Sequence, residues 1–322
     1  MKTCELSKYI YHKILSMKTL LCTLAICVAL NTACKKSQHA RPETPKTDAT
    51  FTVADFSQSV VPMGKSGGSI SDIGDTLRNY ADYLLYRVYN SSGNLISSKN
   101  QTSGSSTFGT ITDRLEPGNY TVVFVASKDV IGYHSNFLGN ALIFGHDPGF
   151  DRVNDIRVQR LSRAWEDTFL KKINITVGTS PFVETVRLDR LVGALELNLE
   201  AGVPAEVSRI AISVEYDQNT YNVNTGIRSS TLIKTKEFII ADSDRGLPDK
   251  KFLMHVFNVT RPQLITIKAF NAQNELITQK MINNVTFFQN KKTILTGNLN
   301  VSSTFIITVN PVWDQPHSII KI

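Results

Sequence analysis

Beyond Cys34 the chain has no cysteine. Its four thiols, Cys4, Cys22, Cys27 and Cys34, all fall within the first 34 of 322 residues. This excludes disulfides and zinc–thiolate centres from everything downstream. Histidine is scarce as well. His39, His134, His146, His255 and His317 follow Cys34, and none stands in a spacing such as His-Glu-x-x-His. No Gly-x-Ser-x-Gly elbow is present to carry a hydrolase nucleophile. Gly64-Lys65-Ser66-Gly67-Gly68 lacks the upstream glycine of a phosphate loop. Asp242-Ser243-Asp244-Arg245-Gly246 lacks the distal glutamate of a calcium loop and reads as a plain turn. His146, Asp147, Asp151 and Asp155 form the densest polar group and read as a solvated loop. No dense Lys/Arg run is interleaved with aromatics, so there is no nucleic-acid footprint. The expectation is a non-enzymatic protein with no metal and no cofactor.

What is present begins at the N-terminal end. Met17-Lys18-Thr19 opens a better signal peptide than Met1 and is an alternative start. A short basic segment leads into the apolar run Leu20 to Leu30, then small residues and Cys34. That run is too short to cross a bilayer, which takes about 20 residues. Leu30-Asn31-Thr32-Ala33-Cys34 reads as a lipoprotein processing site, with Asn31 in a place usually held by an aliphatic residue. The alternative is an ordinary secretory peptide that ends near a chance cysteine. Acyl chains on Cys34 would hold the protein on a membrane, each buried methylene adding about 0.8 kcal/mol. Residues 1–33 carry Lys2, Lys8, Lys13 and Lys18 against Glu5, so the formal charge of +7 falls to +4 without them. Lys35 to Asp48, with Pro42 and Pro45, read as a flexible tether.

From residue 49 onward the apolar pattern has period two, the signature of an all-β sandwich. Tyr120, Val122, Phe124 and Ala126 alternate with Thr121, Val123 and Val125. Both sets are largely apolar, which marks a central strand. Ile210, Ile212, Val214 and Tyr216 alternate with Arg209, Ala211, Ser213 and Glu215. Leu195, Leu197 and Leu199 alternate with Glu196, Asn198 and Glu200. Each of these two strands is expected to have one wet face. Ile265, Ile267 and Ala269 form a further inward row. Val153, Ile156, Leu161, Trp165 and Phe169 share a rough helical stripe, enough for at most a short helix. Pro117-Gly118 predicts a type II turn with positive φ at Gly118, feeding the Tyr120 strand. Asn90 to Asn94 and Asn271 to Asn274 read as hairpin tips, and the segments around them align without gaps, Val88–Lys99 with Ala269–Lys280. This match divides the chain into two variants of one sandwich, 49–180 and 181–322, parted where Gly178-Thr179-Ser180-Pro181 breaks a strand.

Four segments carry a resemblance to a known family. They are Cys34-Lys35-Lys36; Phe51 to Phe56 with Val60-Val61-Pro62-Met63; Val186-Arg187-Leu188-Asp189-Arg190-Leu191-Val192-Gly193-Ala194-Leu195-Glu196-Leu197; and Asn290-Lys291-Lys292-Thr293-Ile294-Leu295-Thr296-Gly297-Asn298-Leu299. Together they resemble the FimB-type fimbrial anchor and accessory lipoproteins of Bacteroidales-type (type V) fimbriae. The resemblance implies two tandem transthyretin-like (Greek-key) β-sandwiches after a lipoprotein signal peptide. It also implies a lipid on Cys34, a place at the cell outer membrane, and fimbrial subunits as partners. In such fimbriae a C-terminal strand of one subunit fills a groove in the next. Here Thr304 to Val309 has the β-propensity for that role, with Phe305, Ile307 and Val309 as the partner-strand candidates. Equally, this segment can be the last strand of its own domain. A second reading is a surface glycan-binding lipoprotein, for which Trp165, Trp313, Tyr80 and Tyr133 are the candidate stacking platforms.

Overall fold

The computed structural model describes residues 44–56, 77–132, 142–144, 157–159, 163–300 and 304–310. Alternation builds a first sandwich. Its smaller sheet has β1 (Thr47–Phe56) at the centre, antiparallel to β4 (Thr110–Leu115) and parallel to β10 (Phe182–Arg190). Its larger sheet runs in the order β3 (Leu95–Thr102), β2 (Tyr83–Asn90), β5 (Gly118–Ser127), β9 (Thr168–Val177). The two sheets touch at a corner where β9 and β10 share two residue pairs, Asp189 with Leu170 and Arg190 with Phe169. Phe51, Tyr86, Val122, Phe124, Val186 and Leu188 are buried between them. The Tyr120 strand is central, as its two apolar faces predict. The turn before it differs from expectation. Gly118 is absent from the positive-φ residues and already belongs to the strand. The corner is closed instead by the Tyr120 hydroxyl, which donates to the Glu116 carbonyl at 2.8 Å.

The second sandwich has one sheet in the order β14 (Lys250–Val256), β11 (Gly193–Leu199), β17 (Lys292–Gly297), β18 (Ile306–Asn310). Facing it, β12 (Arg209–Asn222) pairs with β13 (Arg228–Ile239) on one side. On the other side it pairs first with β15 (Gln263–Phe270), which leads to β16 (Leu276–Val285). The far half of β12 then takes β8 (Arg157–Gln159), followed by β7 (Leu142–Phe144) and β6 (Ile131–Gly132). Leu195, Leu197, Leu199, Ile210, Ile212, Ile265 and Ile267 fill the space between the sheets.

The chain crosses the boundary expected between residues 180 and 181 in both directions. β6, β7 and β8 come from the first half and extend a sheet of the second. β10 comes from the second half and completes the first sandwich. A third core lies between the lobes. It gathers Leu85, Tyr89, Val123 and Val125 from the back of the larger first sheet and Trp165, Leu191, Val192, Val223 and Phe257 from elsewhere. Residues 45 onward form one compact unit. The expected short helix does not form in the described part of 153–169: residues 157–159 are in β8, Trp165 bridges to His255, and β9 starts at Thr168. Pairing with distant strands overrides the local spacing.

Two wet faces were expected where the structure puts buried charge. Glu196 turns into the molecule and pairs with Lys292 at 2.8 Å, both nearly inaccessible, because β11 is flanked on both edges and covered on both faces. In β12, Val214 pairs with Lys234 and Asp217 with Leu232, so the strand carries a bulge at Glu215 and Tyr216. Tyr216 takes φ 59°. Its side chain, expected inside with Val214, is 54% exposed. Asp217 goes in instead. Its Oδ1 accepts the amides of Asn258 at 2.7 Å, Phe257 at 2.9 Å and Gln218 at 3.0 Å. The bulge redirects β12 from β15 to β8. The two hairpin tips share one device. Asn90 Oδ1 accepts the amides of Ser92 and Asn94, and Asn271 Oδ1 those of Gln273 and Glu275. The positive φ falls on Gly93 in one and Asn274 in the other.

At the corner of the first sandwich Arg190 is buried. Its Nε and Nη2 donate to the two carboxylate oxygens of Asp167 at 2.7 and 2.9 Å, and Nη1 donates to Asn290 at 2.8 Å. The guanidinium lies 4.8 Å from the Phe169 ring centroid. Burial pushes the Asp167 carboxyl above its usual range and Arg190 opposes that. Arg190→Ala is expected to destabilise the fold by about 3–5 kcal/mol, since it strands a buried carboxylate. The double replacement Arg190→Met with Asp167→Leu should recover most of that, read by chemical denaturation. Asp217 supplies a pH test. Burial raises its pKa from 3.8 to about 7, against the pull of the Asn258 and Phe257 amides and of Lys234. The folded state therefore holds the proton more tightly than the unfolded chain. Its stabilisation is complete below the unfolded value of 3.8 and lost as pH rises through about 7. Asp217→Asn should flatten this decline, measured as urea midpoints from about pH 4 to about pH 8.

Candidate partner-strand site

β18 is the last described strand. It lies antiparallel on β17, from Lys292 paired with Asn310 to Thr296 paired with Ile306. Its outer edge pairs with no strand among the described residues. Ile307 stands opposite buried Leu295 and Val309 opposite buried Thr293, so this row leans toward the second core. Phe305, just before the strand, continues the row and packs on the same core. Yet Ile307 and Val309 are each 42% exposed, and Ile306 on the other face is 64% exposed. The strand thus has the apolar content of an interior strand but leaves much of it exposed on both faces. β5, with a similar composition, is buried on both.

Gly297 fixes where this segment begins. A Cβ there would stand 2.7 Å from Phe305 Cδ1, so only glycine allows the ring to lie flat on β17. The sequence signal was a glycine inside a strand, a mark of close approach. Elsewhere on the same lobe, Lys280 donates to the Asn300 carbonyl and ties β16 to the segment ahead of β18.

The remaining sequence candidates separate clearly. Trp165 is fully buried, stacked on Phe257 at 4.1 Å between centroids, and donates from Nε1 to the Gln218 carbonyl at 2.9 Å. Tyr80 is buried in the first core. Neither can serve as a stacking platform, because packing between lobes and sheets takes their faces. Cys34, Tyr133, Trp313 and the group around His146 lie outside the described residues. Asp242 pairs with Arg245 at 2.9 Å and Asp244 with Lys250 at 2.6 Å, which leaves this turn committed to cations of the chain itself. Among the described residues no three His, Cys, Asp or Glu side chains gather as a metal site. Nor is any described helix long and apolar enough to cross a membrane.

No family model matches the sequence. No curated protein matches it either. Solved structures do. A candidate polysaccharide-binding protein of Bacteroides thetaiotaomicron has a TM-score of 0.53 at 11% identity, covering 82% of this chain and 96% of that one. A candidate adhesin of the same organism has a TM-score of 0.50 at 11% identity, covering 83% and 96%. The fimbrial anchor protein Mfa2 of Porphyromonas gingivalis is also a neighbour, with a TM-score of 0.44 at 8% identity over 82% and 97%. The candidate polysaccharide-binding protein and the candidate adhesin share the fold of this chain.

Gly297→Ala is expected to displace Phe305 and loosen β18 while leaving the rest folded. Amide exchange at residues 306–310 should accelerate at least about tenfold, the equivalent of 1.4 kcal/mol, with protection in β11 and β12 unchanged.

Proposed function

We propose that this chain is a non-catalytic fimbrial anchor or accessory subunit, held at the outer membrane by lipid on Cys34 and joined to a neighbouring subunit through its C-terminal strand. The observation that carries the reading is β18 itself, a strand whose outer edge pairs with no strand among the described residues and whose apolar side chains are partly exposed on both faces. A strand of this kind forms main-chain hydrogen bonds with any extended partner and offers alternate side chains to its pockets. Natural proteins usually blunt such edges with charge or proline. The described part of β18, Ile306-Ile307-Thr308-Val309-Asn310, has neither.

Two further supports come from the sequence. The four family-like segments span the chain from Cys34 to Leu299, and the fold they imply is the one observed, in a shape shared with a candidate adhesin. Lipid at Cys34 would hold the sandwiches at a membrane surface, and the polar stretch from Lys35 supplies reach only as far as Lys46, since Thr47 and Asp48, expected in the tether, already pair in β1. Within this scheme β18 leaves β17, so that Phe305, Ile307 and Val309 exchange the second core for pockets of the partner and Ile306 packs on its other side.

Truncation before Ser303 is expected to leave a folded protein and to abolish attachment of fimbriae to the cell. Cys34→Ala is expected to leave fimbriae assembled but shed, with the chain unlabelled by palmitate and lost from the membrane fraction. Normal attachment in the truncated strain would remove the strand from the scheme, and a membrane-bound Cys34→Ala chain would remove the lipid.

A further inference from the structure

β9 and β10 part after only two residue pairs. Where they part, a cleft of about 440 Å³ opens at the junction of the lobes. Leu170 and Leu191, both buried, contribute its apolar lining. Lys171, Lys172, Asp189 and Tyr221 contribute its polar groups. Arg190 and Asn290 also line it, but they are held in the network with Asp167, which makes this side of the cleft rigid. The size falls within the range of small-molecule sites, about 300–1,000 Å³, and the place between packed units is where such sites gather.

The charges do not cancel. Arg190 is neutralised by Asp167, and Lys171 by Asp189 at 2.9 Å. Lys172 donates to the Asn224 side chain at 2.8 Å and pairs with no carboxylate among the described residues. Among the cations that line the cleft Lys172 is therefore left over, and Arg228, which donates to the Leu191 carbonyl and to Gln289, adds positive charge beside it. The Tyr221 hydroxyl makes no hydrogen bond among the described residues, and Asp189 receives Lys171 on Oδ2 only. A hydroxyl and a carboxylate oxygen thus remain to bind neutral OH groups.

We propose that this cleft binds a sugar ring carrying one negative charge. Lys172 takes the anion, and Asp189 and Tyr221 bind ring hydroxyls. A bare inorganic anion would leave the hydroxyl-binding groups unused. A neutral sugar would leave Lys172 unused. The site is separate from β18, so its failure leaves the partner-strand reading intact, and the converse holds.

The test is isothermal titration of the whole chain with three oligosaccharides of equal length: glucuronate-terminated, galactose-6-sulfate-terminated, and neutral. A charged probe should bind at least about tenfold more tightly than the neutral one and weaken with added salt. The tighter of the two charged probes identifies the anion as carboxylate or sulfate. Lys172→Gln should remove that preference, while Lys251→Gln, an exposed lysine on β14, should keep it. Tyr221→Phe should weaken charged and neutral probes alike. Three results would overturn the proposal: equal binding of the neutral probe, an undiminished preference in Lys172→Gln with its fold intact, or no saturable binding of either charged sugar.

Discussion

One stretch of extended chain, residues 186–197, enters every core of this molecule. Val186 and Leu188 lie in the first sandwich, Leu191, Val192 and Ala194 between the lobes, and Leu195 and Leu197 in the second sandwich. Arg190 pins it halfway, gripping Asp167 on one side and Asn290 on the other. The loop at 288–292 clasps the same stretch. The Asn290 amide donates to the Val192 carbonyl, the Ala194 amide to the Lys291 carbonyl, and Gln289 Nε2 to the Arg190 carbonyl. At Gly193 a Cβ would come within 2.6 Å of the Phe288 carbonyl oxygen, so the two backbones meet where no side chain fits. Two of the four segments that carry the family resemblance are these partners, 186–197 and 290–299. Their shared pattern encodes a joint.

That joint explains why the lobes behave as one body. Strands exchanged across the middle of the chain commit each half to the other, and the core between them buries apolar side chains from both. Under the proposed anchoring role, such interlocking would resist tension between membrane and filament. Opening it would expose apolar surface at about 25 cal/mol per Å² along with buried ion pairs. Against this rigid background β18 is held by one neighbour and little side-chain burial, which places the proposed exchange element at the low-stability end of the fold.

Much of the architecture is legible in the sequence because alternation reports burial directly. The Tyr120 strand, the rows Ile210–Val214 and Ile265–Ala269, and both hairpin tips follow from period two and from Asn and Gly chemistry. The misreadings share one cause. Glu196 and Tyr216 each follow the alternation locally, yet β11 is covered on both faces and β12 carries an extra residue. The helical stripe near Trp165 and the predicted positive φ at Gly118 likewise gave way to pairing with distant strands and to the Tyr120 corner. The cleft beside Lys172 has no linear signature, since its residues come from four separated segments.

By itself the sequence determined the all-β class, the faces of the regular strands, the position of the last thiol after which no other occurs, and the apolar run near the C-terminal end. These are local properties, set by side-chain period, composition and turn residues. Only the tertiary structure decided which half owns each strand, that Arg190 and Asn290 meet across 100 residues, that Trp165 is interior, and that β18 lies partly exposed at an edge. Pairing and burial depend on which surfaces meet after the chain has closed on itself, and no window of neighbouring residues carries that information.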